Sequence, residues 1–134
     1  MIEIVVECIK ADTPTANNRI YSKETLIKMV ELANKKIEDK MLFVTSDRYD
    51  YENSNFNDII GRVDSCKFDE RSGRMVIEVE QLKNKIDIAK LIESKLFRIT
   101  PNTTAELDKN NNVINVEGLA AFSMMPEAPA IPKE

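Results

Sequence analysis

The stretch IIGRVDSCKFDERSGRMVIEVEQL, residues 59–82, decides the fold class. Its two halves, Ile59–Phe68 and Met75–Leu82, are strand-like runs, and between them lies the polar string Asp69-Glu70-Arg71-Ser72-Gly73-Arg74. Gly73 supplies the positive φ that a turn of this kind wants, because glycine has no Cβ to clash there. The pattern predicts a β-hairpin with a longer loop.

On the N-terminal side of the hairpin, residues 2–9 read as a strand, and Asp12, Pro14, Asn17 and Asn18 give the next segment loop chemistry. Ser22 is a good N-cap for a helix over 22–38, with Glu24 near the positive end of the dipole and Tyr21 placed to staple onto Leu26. Leu26, Val30, Ala33 and Ile37 repeat at helical spacing, with Ile27 and Met29 widening the stripe. Met41 to Thr45 reads as a short buried strand, and Ser46 to Asn57 as a polar surface loop long enough to be functional. Beyond the hairpin, Asn84 can cap a shorter helix that turns Ile88, Leu91 and Ile92 inward. Residues 97–107 contain Pro101, which confines them to an edge or bulged strand. Asp108 to Asn112 is a polar turn, and Val113–Met125 is strand-like. The tail 126–134, with Pro126, Pro129 and Pro132, is expected to lie extended. Strands outnumber helices and pair mostly with sequence neighbours, so the class is α+β with an antiparallel sheet or small barrel, in a single domain over 1–134.

The composition narrows the chemistry. Among 134 residues there is no histidine, which excludes Ser-His-Asp and Cys-His catalysis and removes the commonest nitrogen ligand for zinc. A Ser-Lys pair stays open in principle, with Ser94 and Lys95 or Ser46 as its pieces, although sequence neighbours on a helix do not face each other. Nineteen basic residues are mixed among 23 acidic ones for a net charge of −4, with no basic block, so no nucleic-acid partner is expected. The N-terminal run is broken by Glu3 and Glu7 and lacks a basic flank, and no apolar stretch approaches the roughly 20 residues of a membrane helix. Cys8 and Cys66 have no metal-type spacing and read as buried free thiols of a reducing compartment. Asp47, Asp50 and Glu52 could offer oxygens to Ca²⁺, but the loop lacks the glycine and terminal glutamate of an EF-hand, so neither metal nor cofactor is expected. Tyr49, Tyr51 and Phe56 in the same loop are candidates for contact with a protein partner, or fold back onto the domain.

Several strings, in order, resemble the tailed-phage prohead maturation proteases, which share the herpesvirus-protease fold. NNRIYSK at 17–23 is similar to the "N-G-R-x-Y-P" opening of that family, and Ile59-Ile60-Gly61-Arg62-Val63 with the strand to Glu78 to its central hairpin. Ile86 to Leu96 resembles its "G-K-x-L-x-x-L-I" helix, and Leu119 to Pro129 its closing strand and "P-x-x-P" tail, so the likeness spans residues 12–130. It implies a prohead-protease-like small antiparallel β-barrel or strongly bent sheet flanked by two helices. The family's nucleophilic serine lies in a "G-[VI]-S-x-R-G" string. Here Thr100 stands nearest that position, and the glycines of the oxyanion loop are gone. The family's histidine lies in an "L-x-H-P" string, and this chain reads Leu42-Phe43-Val44-Thr45-Ser46-Asp47 there. Ser46 and Thr100 are thus degenerate positions, and no enzyme activity is expected. The resemblance implies a virion component made in the host cytoplasm: a capsid auxiliary or decoration protein that binds the phage major capsid protein or other head proteins, and that can self-associate. Its contacts would run through Tyr49, Tyr51, Phe56, Pro126, Pro129 and Ile131. The alternatives are an active maturation protease with an unusual site, a pseudoprotease acting as head scaffold, or an unrelated intracellular domain.

Overall fold

The computed structural model describes residues 3–15, 18–46, 58–83 and 87–126. Its elements are β1 (Glu3–Lys10), α1 (Lys23–Glu38), β2 (Phe43–Thr45), β3 (Ile59–Asp69), β4 (Arg74–Gln81), α2 (Ile88–Glu93), β5 (Phe97–Leu107) and β6 (Val113–Pro126). The class is α+β: a six-stranded sheet curled into a half-barrel, with two helices.

The hairpin is β3–β4, paired from Gly61↔Gln81 to Asp69↔Arg74 with a register shift between Val63 and Ser65. Gly73 turns at φ +69°, and its N–H donates to the Asp69 carbonyl at 2.8 Å. The Asp69 carboxylate accepts from Ser72 Oγ at 3.0 Å and from the Arg71 N–H at 3.2 Å. These bonds hold its pKa below the usual carboxylate range.

Ser22 caps α1 by accepting from the Thr25 N–H at 3.1 Å. Tyr21 and Leu26 lie in the same buried core, as a staple requires. Leu26, Met29 and Ala33 are fully enclosed, whereas Ile27 falls off the stripe and is 37% exposed. The helix lies across both β3 and β6. The second helix starts later than the sequence predicts: Asp87, not Asn84, is its N-cap, accepting from the Lys90 N–H at 3.2 Å. The start is fixed from the end of β4, where Gln81 Oε1 accepts from the Ile88 N–H at 2.7 Å. Ile88 is fully buried, and Leu91 and Ile92 pack partly buried against the core.

The strand order is β1-β4-β3-β2-β6-β5. The sheet departs from the expected antiparallel sheet or small barrel at one pairing, because β2 and β6 run parallel through Val44↔Phe122 and Thr45↔Ser123. The chain reaches β6 only after α2 and β5, so no tight hairpin dictates its direction against β2. Register shifts interrupt the β1/β4, β2/β3, β3/β4 and β5/β6 pairings. Each bends and twists its strand, which accounts for the curl. Strand β5 is an edge strand with three such shifts, and there Pro101 is tolerated. Among the described residues, no helix is long and apolar enough to cross a membrane.

Gly61 sits where β3 passes beneath α2. A Cβ there would meet Val79 Cγ1 at 2.8 Å, the Glu80 carbonyl at 3.2 Å and Ile88 Cδ1 at 3.2 Å. Gly61→Ala is therefore expected to destabilise the protein by about 1–3 kcal/mol through overpacking, read as a lowered urea midpoint with an unchanged m-value.

Candidate functional site

Curling brings the two outermost strands, β1 and β5, near each other without pairing them. A groove of about 520 Å³ opens along this seam. Its walls come from the second half of β1, the start of β5, the 13–15 turn and the end of α2. Four of its lining side chains are cationic, Lys10, Arg74, Lys95 and Arg98, against one carboxylate, Glu7. Arg74 is engaged locally: its guanidinium donates to the Cys8 carbonyl at 3.0 Å and lies 3.6 Å from Glu7. Cys8 and Cys66 are buried, free thiols. Burial pushes the Cys66 thiol up to about 12 and Cys8 upward as well, so both stay protonated and poorly nucleophilic at neutral pH.

Thr100 lines this groove, half-buried, on β5. Its register partner on β6 is Ser123, and the partner of Ser123 on β2 is Thr45. One rung therefore carries three hydroxyl residues across three strands, on one face of the sheet. Thr45 and Ser123 are fully buried, and their hydroxyls lie 2.9 Å apart. Asn102, two residues along β5 and so on the same face as Thr100, donates its amide to Ser123 Oγ and to the Ala121 carbonyl. Thr45 Oγ1 also donates to the Phe122 carbonyl at 3.3 Å. The rung joins the two regions the resemblance singled out, the end of β2 and the start of β5. It fills them with hydroxyls and an amide, none of which acts as a base near neutrality.

Ser46 itself stands just past β2, half-buried, with its N–H donating to the Asp58 carbonyl at 2.7 Å. Its neighbour Thr45 is the residue that enters the rung. Ser94 Oγ donates to the Leu91 carbonyl at 2.6 Å and accepts from the Leu96 N–H at 3.2 Å, so its hydroxyl finishes α2. Tyr49, Tyr51, Phe56, Pro129 and Ile131 lie outside the described residues, as do Asp47, Asp50 and Glu52. Pro126 ends β6 with its backbone opposite Phe97. The sequence reading gives no site role to Asn102, Ser123, Lys10, Arg74 or Arg98, and it places Thr45 only at the end of a buried strand and Lys95 only in a Ser-Lys pair. Only the two-residue step from Thr100 to Asn102 could have signalled any of them.

No known family, curated protein or solved structure matches the chain. The site is therefore read from its own chemistry.

Away from the seam, Glu3, Asp64 and Glu80 bring their carboxylates within 4.8 Å of one another. Arg62 bridges two of them, at 2.8 Å to Asp64 and 2.6 Å to Glu80. A hydrogen bond shared with Asp64 raises the pKa of Glu3, and desolvation and the neighbouring acids add to the rise. Burial alone would raise Asp64, but hydrogen bonds from Arg62 and Glu3 outweigh it and leave the group lowered. The guanidinium already supplies the positive charge that these acids need.

Two expectations follow. Ser123→Ala removes the hydroxyl that Thr45 and Asn102 share, and costs about 1–3 kcal/mol in chemical denaturation for the buried groups left behind. Glu3 has a raised folded pKa, so its ionisation destabilises the fold as pH rises through that value. Thermal melts between about pH 4 and pH 8 should show Glu3→Gln more stable than the parent at the alkaline end. The difference should shrink to nothing as pH falls below the Glu3 pKa. The Asp64 contribution has the opposite sign, present above its ordinary pKa and lost as acid protonates it.

Proposed function

We propose that this chain is a non-enzymatic phage virion structural protein, a capsid auxiliary or decoration protein that binds the capsid shell and is built on an inactivated prohead-protease-like scaffold. The observation that supports this reading is the Thr45–Ser123–Thr100 rung with Asn102. A hydroxyl nucleophile needs an adjacent base, and its oxyanion needs fixed donors. In this chain no residue is a histidine, and the Thr45 and Ser123 hydroxyls bond to each other, to the Asn102 amide and to the Phe122 carbonyl. Loss of the base alone removes about 10²–10⁴ in rate. A scaffold without that chemistry keeps what a binding protein uses: a stable sheet, two edges left unpaired among the described residues, and a groove.

Mass spectrometry of purified particles tests the reading, with a copy number close to that of the major capsid protein as the expected result. Absence from mature particles would overturn it in favour of a head-scaffold pseudoprotease. Incubation with the major capsid or scaffold protein should yield no cleavage products. Cleavage that Thr100→Ala abolishes would mean that the chain is an active maturation protease.

A further inference from the structure

The two edge strands of the sheet, β1 and β5, have a directional relation that follows from the pairings. From β1 to β4, β4 to β3 and β3 to β2 the direction reverses each time. It is kept from β2 to β6 and reverses once more to β5. Four reversals leave β1 and β5 pointing the same way. Direct closure of the seam would need a parallel ladder, the slightly weaker kind, and no such ladder forms among the described residues. A segment running the other way between them would pair antiparallel with both.

The groove also has a charge that the whole chain does not. The protein carries −4 overall, yet cations outnumber carboxylates four to one among the lining side chains. Among the described residues, the Lys10 and Lys95 ammonium groups pair with no carboxylate. Each stands at one end of a groove wall, Lys10 where β1 ends and Lys95 where α2 gives way to β5. Between them, Val6, Ile99 and Phe97 give the groove an apolar lining.

We propose that the seam between β1 and β5 binds an extended acidic peptide segment of a protein partner, taken up as a strand antiparallel to both edges with its carboxylates against Lys10 and Lys95. Backbone pairing would give affinity and the side-chain charges specificity, as in other cases of strand addition. The assignment rests on the capsid-binding reading in taking a protein as the partner. Parts of β1 and β5 lie within 8 Å of each other. Strands flanking a third stand about 9.6 Å apart, so uptake opens the seam there by at least about 2 Å.

Fluorescence anisotropy with a labelled peptide of about six residues alternating valine and glutamate tests the assignment on the full chain. Saturable binding is expected, together with a loss of about tenfold or more when lysine replaces glutamate in the peptide. The double variant Lys10→Glu, Lys95→Glu should show the same loss. Both lysines are exposed, so the variant is expected to keep its thermal melt. A peptide N-methylated at alternate residues should lose binding while keeping its charge, which separates strand pairing from simple attraction.

Equal binding of the glutamate and lysine peptides, or full binding of the N-methylated one, would overturn the proposal. So would tighter binding of a labelled oligothymidine that the double variant abolishes, because that identifies a nucleic-acid groove. Concentration-dependent dimerisation abolished by the same variant would overturn it in favour of a second copy of this chain. None of these results alters the copy number in purified particles, so the groove and the capsid reading fail independently.

Discussion

The hydroxyls of Thr45 and Ser123, 2.9 Å apart in the core, mark the join on which the rest of the sheet depends. Strand β2 has only three residues, yet it connects the β1-β4-β3 side of the sheet to the β6-β5 side. Its parallel pairing with β6 rests on two register pairs, Val44↔Phe122 and Thr45↔Ser123. A ladder this short gains little from backbone bonds, and a side-chain hydrogen bond inside the core adds to it where water cannot compete. Helix α1 reinforces the same join from outside the sheet, because it lies across both β3 and β6 and buries Leu26, Met29 and Ala33. Lys28 and Lys36 extend that clamp, donating to Asn115 Oδ1 and to the Ala120 carbonyl.

The local elements were legible because their causes are local. Gly73 turns the hairpin with positive φ, Ser22 caps α1, and Pro101 marks an edge strand, each through the conformational preference of one or two residues. Asp108 accepts from the Asn110 and Asn112 N–H groups and so builds the polar turn its sequence announces. The start of α2 was misplaced because the side chain that fixes it, Gln81, belongs to the preceding strand. The parallel β2–β6 pairing was missed for a deeper reason. Val44 and Phe122 are far apart in sequence, and an apolar strand of three residues has no periodicity from which to read its partner or direction.

The same distinction separates the parts of the site. Thr100 and Ser46 were named by position in a resemblance, not by any local pattern of the chain. The structure brings the β2 end and the β5 start to one rung, and it is Thr45 rather than Ser46 that points into it. A one-residue shift reverses the face on which a strand side chain lies, which is why Ser46 stands outside the rung that Thr45 enters. The seam was invisible for another reason: Lys10, Arg74, Lys95 and Arg98 come from four different places in the chain. Only curvature gathers them, and curvature arises from bulges that leave almost no mark on the sequence.

Stability and binding capacity thus draw on different parts of one sheet. The middle, where β2 meets β6, is dry, with its buried hydroxyls bonded to neighbouring side chains and carbonyls. A hydroxyl held that way is a poor nucleophile, since attack would require breaking the bonds that keep the sheet continuous. The margins carry the opposite character: strand edges unpaired among the described residues, exposed lysines and a groove. Open edges are a liability that charged side chains moderate, because a stray strand must bring complementary charge to be accepted there. The lysines beside the seam therefore do two things at once, discouraging indiscriminate edge pairing and selecting for an acidic segment.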